Sequence, residues 1–293
     1  IFINTNASNV NLLTGTTVTS TNKKVTGVYS EKSNVTNAGT LTLTGDNSSG
    51  VYAKSGSVVN QATGKITVGK DGSGIYVMAT GIPPVPATGT NLGEIEIGQG
   101  SVGMRAENST ITNGATGKIT SSGISATGMS QSVGSQDITN NGTITLTGDK
   151  STALHSEGIT TANHKVINTG DITVGDSSNE LTPSVGIYSA NGTNSTVESS
   201  GNVGQIGIAM RKGAILDNRG TIHIDASKGY GAFVAGGIII NRGTITVSGG
   251  ATAVKEITAA DTSKEMQDTQ GNMNKIRIHS PAGAAEAKII ANG

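Results

Sequence analysis

Carboxylates are the side chains of this sequence that come closest to a pattern able to do chemistry. Asp46, Asp149 and Asp176 each follow a glycine at the same point of a repeated unit. Paired carboxylates could hydrolyse a glycosidic bond or bind Ca²⁺, but both tasks need further carboxylates or a basic group nearby. The equivalent positions in other units hold Lys70, Gln99 and Ser122. We therefore interpret the aspartates as turn residues whose side chains bond their own backbone.

A glycine-rich run and the histidines are weak catalytic signals. The run GQGSVG at 98–103 formally matches a dinucleotide-binding fingerprint, but MRAENSTIT follows it. That continuation predicts a strand and a turn instead of the helix whose N-terminus would hold a phosphate. The histidines, which lack the spacing of metal ligands, are His155, His164, His223 and His279. We expect a protein that is not an enzyme, with no catalytic residues, no metal site and no cofactor.

One column of aromatic and basic residues is the main candidate for binding. The recurring phrases TGVYS at 26–30, SGVYA at 49–53 and SGIYV at 73–77 place one residue between two inward positions, so this residue must face outward. This outward column holds Tyr29, Tyr52, Tyr76, Arg105, Ser130, His155, Tyr188 and, by a weaker alignment, Phe233.

Two interpretations of the outward column are open. Stacked rings could simply cover the sheet and stabilise neighbouring coils. Alternatively, the column is an exposed aromatic and cationic strip that receives a ligand. In that case the binding residues are Tyr29, Tyr52, Tyr76, Arg105, His155 and Tyr188.

A sequence repeat provides the elements that would position this column. Nine glycines each precede a short run that alternates polar and aliphatic residues, as in NAGTLTLTG at 37–45. They are Gly39, Gly64, Gly93, Gly117, Gly142, Gly170, Gly204, Gly220 and Gly243. Most steps between them are about 23 to 29 residues, a period typical of solenoids. The step from Gly170 to Gly220 covers two units, with Gly204 assigned as the anchor between them.

Each unit contains three short strands and three turns in about 24 residues. We predict an all-β fold, a right-handed three-faced parallel β-helix of about ten or eleven coils with roughly 23–25 residues each, continuous over residues 1–293. One inward column contains Val28, Val51, Ile75, Met104, Met129, Leu154 and Ile187. A second contains Leu41, Ile66, Ile95, Ile119, Ile144, Ile172, Ile222 and Ile245.

Asparagine recurs shortly before the repeated glycine. The set comprises Asn37, Asn60, Asn91, Asn113, Asn140, Asn168, Asn202, Asn218 and Asn241. In stacked coils these amides lie above one another and can bond in series, and asparagine also tolerates left-handed backbone at a sharp corner. We predict an internal asparagine ladder with a structural role.

Insertions are the remaining places for function. They occupy 78–90, 157–165, 190–201 and 255–275, at comparable positions after the strand of the outward column. We therefore expect them to emerge along one side of the rod, next to that column. Neither end of the chain resembles a polar cap, so we also expect a segment of a longer rod.

Charge and composition restrict the partners. The chain has 20 basic and 20 acidic residues and no block of Lys or Arg, so we expect no nucleic-acid partner and no anionic membrane patch. Aromatic residues make up only 2% of the chain, which disfavours a conventional globular core. The absence of cysteine fits export through an oxidising periplasm.

The repeat units are similar to those of a known class of bacterial surface protein. Units of the form NxG-T-I-T-V and S-G-V/I-Y-A, in a chain rich in Lys, Asn and Thr, resemble the passenger region of the large fusobacterial type V autotransporter adhesins, which include the RadD-like outer-membrane adhesins. The resemblance implies a rod displayed on the cell surface and anchored by an outer-membrane β-barrel outside this segment. It also implies a receptor, protein or glycan, on host cells or other bacteria.

The expected function is therefore that of a monomeric adhesin rod that mediates attachment by non-covalent binding. Two alternatives stay open, a polysaccharide-degrading β-helix enzyme and a purely structural spacer. Clustered carboxylates in a groove would favour the enzyme. Binding of intact cells without any change to the ligand would favour the adhesin.

Overall fold

The computed structural model describes most of the first two thirds of the chain and individual strands beyond it. The described ranges are 2–4, 9–133, 136–157, 164–175, 184–189, 195–199, 202–204, 207–211, 215–225, 230–235, 238–241, 244–248, 252–256 and 288–291. All regular elements within them are β-strands, numbered here along the chain, and they form three parallel sheets. Over residues 2–248, each coil contributes one strand to each sheet before the chain returns to the first.

Sheet one carries the outward column, and sheet two follows it in each complete coil. The strands of sheet one are β1 (Phe2–Asn4), β4 (Thr26–Glu31), β7 (Ser49–Lys54), β10 (Ser73–Met78), β13 (Val102–Glu107), β16 (Thr127–Val133), β19 (Thr152–Ser156), β22 (Val185–Ser189), β25 (Ile208–Arg211), β28 (Tyr230–Ala235) and β31 (Thr252–Glu256). Those of sheet two are β2 (Val10–Leu12), β5 (Val35–Asn37), β8 (Ser57–Asn60), β11 (Thr88–Asn91), β14 (Thr110–Asn113), β17 (Ile138–Asn140), β20 (His164–Asn168), β23 (Ser195–Ser199), β26 (Ile215–Asn218) and β29 (Ile238–Asn241).

Sheet three contains the strands that follow the repeated glycine. They are β3 (Thr17–Ser20), β6 (Thr40–Leu43), β9 (Lys65–Val68), β12 (Glu94–Ile97), β15 (Lys118–Ser121), β18 (Thr143–Leu146), β21 (Asp171–Val174), β24 (Asn202–Gly204), β27 (Thr221–Asp225), β30 (Thr244–Ser248) and β32 (Lys288–Ala291).

This arrangement confirms the predicted three-faced parallel β-helix. In the described residues the sheets have eleven, ten and eleven strands, in agreement with the predicted number of coils. Coil length varies more than predicted, because successive rungs of the asparagine ladder are 23, 31, 22, 27 and 28 residues apart. The extra residues lie in loops between strands, so the strands themselves stay in register.

The interior is aliphatic, as predicted. In the first inward column the fully buried side chains are Val28, Val51, Ile75, Met104, Met129, Leu154 and Ile187. In the second, the buried side chains are Leu41, Ile66, Ile95, Ile119, Ile144, Ile172 and Ile222. Ile245 belongs to β30, where side chains lie outside the described part of the structure. Each such burial contributes about 1.5 to 3 kcal/mol relative to exposure.

The predicted asparagine ladder is present and continuous over six coils. Each side-chain amide nitrogen donates to the amide oxygen of the next coil at 2.8 Å, in the order Asn37, Asn60, Asn91, Asn113, Asn140 and Asn168. All six side chains are fully buried. Buried amides are costly unless they are bonded, so the ladder satisfies a polar column inside an apolar rod.

The prediction that these asparagines adopt a left-handed backbone conformation is wrong. Each is the last residue of a strand in sheet two, where the backbone is extended. Left-handed φ values occur instead at the corner between sheets three and one, at Lys24, Asn47, Asp71, Ser125 and Lys150, and at the corner between sheets one and two, at Lys32, Ser55 and Asn108. At Lys24, Asn47, Asp71 and Ser125 the backbone N–H donates to a carbonyl of the next coil, as from Lys24 to Asp46 at 2.8 Å, so these corners keep their backbone donors satisfied.

The ladder and glycine assignments fail in one coil. Gly204 lies inside β24 opposite Thr173, so it is not a repeat glycine. Asn202 pairs with Thr221 in sheet three and is not a ladder residue. The ladder position of this coil is Ser199, which pairs with Asn168 and with Asn218. Because serine replaces asparagine here, the repeat pattern pointed to the wrong residues.

Asn113 tests the contribution of the ladder. It accepts a hydrogen bond from Asn91 and donates one to Asn140. In Asn113→Ala the buried oxygen of Asn140 loses its ladder donor, and a buried polar group left unsatisfied costs about 1 to 3 kcal/mol. We expect a clearly lower urea midpoint by circular dichroism. Thr112→Ala, on the half-buried outward side of the same strand, is the control, and equal midpoints for the two variants would contradict a stabilising ladder.

Ile144 tests the interior. Its side chain is fully buried, whereas its neighbour Thr143 is exposed. A carboxylate in an apolar interior is strongly disfavoured without a partner, so we expect Ile144→Asp to open the rod locally and to expose new cleavage sites in limited proteolysis. Thr143→Asp should keep the parent cleavage pattern. Protection of both variants would contradict the interior position of Ile144.

Candidate binding face

The outward column is a single file of residues along sheet one. Strand pairing places them in the order Tyr29, Tyr52, Tyr76, Arg105, Ser130, His155, Tyr188, Ala209 and Phe233. Those from Tyr29 to Tyr188 are half-buried. The six candidate binding residues therefore lie on one face. The register also places Phe233 in this file, two coils after Tyr188.

A glycine two residues before each early column position shapes the strand. A Cβ added to Gly74 would lie only 2.6 Å from the carbonyl oxygen of Gly103 and 2.6 Å from Cγ2 of Ile95 in sheet three. Because the backbone approaches sheet three this closely, both Gly74 and the following Ile75 are buried. The alternation of the strand thus shifts by one residue, and Tyr76 is turned outward.

Tyr29, Tyr52, Tyr76 and Arg105 form one continuous stack. The rings of Tyr52 and Tyr76 are nearly parallel, with centroids 4.6 Å apart and 8° between their planes. Tyr29 meets Tyr52 edge to face at 5.3 Å, and the guanidinium carbon of Arg105 lies 5.0 Å from the Tyr76 centroid. Such aromatic pairs contribute about 0.5 to 1.5 kcal/mol beyond area burial. The stack therefore stabilises neighbouring coils.

A companion column, Glu31, Lys54, Met78 and Glu107, runs two residues further along the same strands. The Tyr29 hydroxyl donates to Glu31, the Tyr52 hydroxyl donates to the Met78 sulfur at 2.8 Å, and the Tyr76 hydroxyl donates to Glu107 at 2.6 Å. Arg105 also donates to Glu107 at 2.9 Å. Sequence reasoning missed this column, although the charged residues two positions after Tyr29, Tyr52 and Arg105 were a signal for it.

These contacts shift the pKa values of the titratable groups in the two columns. Burial raises the pKa of Tyr76, and the hydrogen bond to Glu107 raises it further. Burial also raises the pKa of Tyr52, which the charge of Lys54 partly opposes. The hydrogen bond from Tyr29 lowers the pKa of Glu31, and Lys54 acts in the same direction. Tyr52 and Tyr76 are therefore neutral donors at neutral pH, whereas Glu31 is an anion.

The stacking geometry determines which parts of the tyrosine side chains a ligand could reach. Tyr52 has one face against Tyr76 and the other toward Tyr29, and Tyr76 lies between Tyr52 and Arg105. Because these faces are covered by neighbours in the column, a partner would meet ring edges, hydroxyl groups and charges at this end of the face.

A second, shorter stack lies further along the rod. The His155 imidazole and the Tyr188 ring are parallel within 6°, with centroids 5.0 Å apart. Burial lowers the pKa of His155, and the carboxylate of Glu157, 3.6 Å from its Nε2, opposes this effect. His155 is therefore mainly a neutral ring at neutral pH, and its contact with Tyr188 is a ring stack.

One of the four predicted insertions is described in full. After β10 ends at Met78, the chain forms a projecting loop closed by an antiparallel bridge between Thr80 and Val85. Ser55 of the previous coil supports its base, since its hydroxyl contacts Thr80 Oγ1 at 2.5 Å and donates to the Val85 carbonyl at 2.9 Å. At its tip, Ile82 is fully exposed. The loop leaves the rod where β10 ends, beside the companion column.

The other insertions are described only in part. Most of 157–165 and 255–275 lies outside the described residues, as do the first and last residues of 190–201. Within 190–201, residues Ser195–Ser199 form β23 of sheet two.

Of the three aspartates considered for chemistry, the two that the structure describes, Asp46 and Asp149, lie far apart. Backbone hydrogen bonds show that one corner column contains Asp46, Lys70, Gln99, Ile124 and Asp149. The expected residue Ser122 is wrong, because the fourth position directly follows the corner glycine Gly123 and is therefore Ile124. Asp46 and Asp149 lie four coils apart, about 19 Å, and Asp176 lies outside the described residues. Asp46 pairs with Lys23 at 2.8 Å, and this hydrogen bond lowers the pKa of its carboxyl group.

The other chemical motifs also have structural roles where the structure describes them. The run 98–103 forms a corner and the first residues of β13, as predicted. His164 is buried and contacts the Ser156 hydroxyl at 3.1 Å. Within the described ranges, no three His, Asp or Glu side chains lie close enough to hold a metal ion. Those ranges also contain no helix with the length and apolar character needed to cross a membrane.

The first part of the chain matches a known protein family. Residues 1–114 match the family model of the BigA third pectate lyase-like domain. This segment includes the whole stack from Tyr29 to Arg105 and the projecting loop. The match supports a bacterial surface-associated β-helix protein. Neither a curated protein nor a solved structure matches the chain.

The lowered pKa of His155 predicts how stability responds to acid. Between the folded pKa and the unfolded value of about 6.5, the unfolded chain binds more protons than the folded chain, so stability falls as pH falls through this window. We expect His155→Phe, which keeps a ring against Tyr188, to lose less stability than the parent between pH 7 and pH 5. The exposed His223→Gln is the control for urea midpoints. An unchanged pH dependence in His155→Phe would contradict the prediction.

Proposed function

We propose that this chain is part of a bacterial surface adhesin and binds its partner non-covalently through sheet one. The observation that carries this proposal is the outward column with its companion column, which together place aromatic rings, Arg105, Lys54 and two carboxylates on one lateral face. Aromatic and Arg side chains are the residues most often found at binding hot spots. The match of residues 1–114 to a BigA domain supports a surface protein.

The contrast with sheet three supports the choice of face. There the outward positions hold threonines such as Thr42 and Thr67, which pair in adjacent coils. Its charges pair along the column, as Lys65 does with Glu94 at 3.0 Å. Exposed ion pairs of this kind are worth little in isolation and suit a solvated surface.

The projecting loop supports a partner with an apolar surface. The side chains of Ile82 and Val85 are exposed at 102% and 57%. The loop also contains three prolines, Pro83, Pro84 and Pro86. Proline restricts the backbone, so the loop loses less conformational entropy on binding than a flexible loop would. The loop and the companion column lie at the same corner of the rod and can contact one partner.

The finer assignment follows the resemblance of the repeats. We assign the chain to the RadD-like fusobacterial adhesins as a rod segment displayed outside the cell and anchored in the outer membrane. Its partner in this proposal is a protein or glycan receptor on host cells or other bacteria, and the rod acts as a monomer. The balanced charge of the chain disfavours nucleic acid as the partner.

A polysaccharide-degrading enzyme is the second candidate, because the matched family is described as pectate lyase-like. Such chemistry needs acidic and basic groups that converge on one bond of the sugar. Several of the described carboxylates are instead paired with a single cation, as Asp46 is with Lys23 and Glu107 with Arg105. We therefore propose binding without catalysis. Release of unsaturated products from pectin by the purified chain would favour the enzyme.

Adhesion of beads coated with the full chain tests the proposal. We expect the double variant Tyr52→Ser and Tyr76→Ser to reduce attachment to target bacteria or epithelial cells at least tenfold, because it removes the centre of the face. The double variant Thr42→Ser and Thr67→Ser is the matched control, because it lies in β6 and β9 of sheet three, which directly precede the strands of Tyr52 and Tyr76. Ile82→Ser with Val85→Ser tests the loop, with exposed Leu13→Ser as its control.

Thermal unfolding of each variant separates binding from folding. If the sheet one and loop variants all remain folded and adhere like the parent chain, this face is only scaffold. The chain would then act as a spacer between binding regions located elsewhere.

A further inference from the structure

The outward column is interrupted at one position. Planar groups occupy it at Tyr29, Tyr52, Tyr76 and Arg105 and again at His155 and Tyr188, but Ser130 lies between the two stacks. Strand pairing puts Ser130 directly opposite Arg105 on one side and His155 on the other. Among the described side chains, no ring or guanidinium contact connects the two stacks across Ser130.

The gap has the width of one aromatic ring. Adjacent parallel strands are about 4.8 Å apart, so Arg105 and His155, two strands apart, are separated by about 10 Å. The filled positions of the same column show what this spacing accepts, since parallel rings follow one another at 4.6 Å and 5.0 Å. A serine side chain is too short to occupy the layer. A flat ring inserted there would continue the stack through all seven coils.

Arg105 and His155 form the two walls of the gap, and each is fixed by contacts with neighbouring side chains. Arg105 stacks on Tyr76 and donates to Glu107 at 2.9 Å. His155 stacks on Tyr188 and lies 3.6 Å from Glu157. Both side chains keep partial exposure, 41% for Arg105 and 29% for His155. Preorganised walls reduce the entropy lost on binding, so the gap is prepared for an occupant.

The edges of the gap are small on one side and acidic on the other. Along one edge Thr127 and Thr152 pair in register, and both are short. Toward the companion column, Glu107 and Glu157 stand beside the two walls. These carboxylates repel phosphate, which argues against a nucleobase from a nucleic acid, and they favour a ring whose neighbours are neutral or basic.

We infer that this gap, the Ser130 slot, receives one aromatic side chain, tyrosine in the first instance, from a partner protein. The inference rests on the proposed function in taking sheet one as the binding face. A guanidinium group attracts the electron-rich face of a ring, and the neutral imidazole stacks on the opposite face. Tyrosine is also the residue that this chain itself places at four positions of the column. A tyrosine residue with a basic neighbour fits both the walls and the acidic edge.

Filling the slot from within tests this inference. Ser130→Tyr supplies the missing ring in cis, so we expect a higher thermal midpoint and a loss of binding by at least tenfold. The probe is N-acetyltyrosinamide, whose weak binding to the full chain is followed through the His155 ring protons by NMR. The chain has only four histidines, and His155→Phe assigns the signal. Ser130→Ala, which leaves the slot open, is the matched control and should bind like the parent.

A wall variant keeps the test decisive if Ser130→Tyr folds poorly. Arg105→Ala removes the cation from one side and should weaken N-acetyltyrosinamide binding at least tenfold while circular dichroism stays unchanged. Absence of any His155 shift with the parent chain, or equal binding by Arg105→Ala, overturns the inference. A His155 shift that is larger with methyl glucoside or adenosine monophosphate than with N-acetyltyrosinamide also overturns it, in favour of a sugar or a nucleotide.

Adhesion measured on the same variants separates this inference from the proposed function. Probe binding that Ser130→Tyr abolishes, in a chain that does not adhere to cells, supports the slot and rejects the adhesin. Adhesion that requires Tyr52 and Tyr76 but survives Ser130→Tyr, together with no probe binding, supports the adhesin and rejects the slot.

Discussion

Parallel backbone hydrogen bonds hold each coil directly over the next, and this register at about 4.8 Å per coil governs the rest of the molecule. The nearest neighbours of a side chain are the same positions in the coils above and below it. Each column must therefore be compatible with itself: aliphatic residues on aliphatic residues, amides on amides, rings on rings. Charged columns avoid repulsion by alternation, as in Lys65, Glu94 and Lys118 along sheet three or Glu31 and Lys54 along sheet one.

The same register explains where the column pattern is disturbed. The second inward position of sheet one holds small residues such as Ala53, Ala106 and Ser156, but Gln131 occupies it in β16. Its amide is fully buried and has no hydrogen-bond partner among the described residues. The pairing between β13 and β16 shifts by one residue directly after Gln131, because Ala106 pairs with Gln131 but Glu107 pairs with Val133. A long polar side chain in a position built for a methyl group thus coincides with the local irregularity next to Ser130.

Much of the fold was predictable because stacking repeats the same few residue types at a regular interval. The alternation around Ile75 or Ile144 identified inward positions, and recurring asparagine identified the ladder. Prediction failed where a coil departs from the pattern, as when Ser199 takes the ladder position and Gly204 imitates a repeat glycine. The alignment of the outward column was readable, but ring orientation depends on side-chain torsions and on partners such as Glu107, so the covered faces of Tyr52 and Tyr76 were not.

The asparagine ladder has a direction. From Asn37 to Asn168 every side-chain NH₂ group points to the following coil and every oxygen points back, so the amide dipoles add along the axis. One end of the series is an oxygen, which accepts a hydrogen bond from the backbone N–H of Gly39, and the other end is an NH₂ group, which donates to the carbonyl of Gly170. The two ends thus differ in hydrogen-bonding character, as the two ends of an α-helix do. Adding a coil at one end is therefore chemically different from adding a coil at the other end. A rod that assembles coil by coil thus has an intrinsic polarity. If the chain leaves a membrane with one end first, the coils that have already formed present one end of the ladder to the next coil. Which end they present, oxygen or NH₂, depends on which end of the chain leaves first.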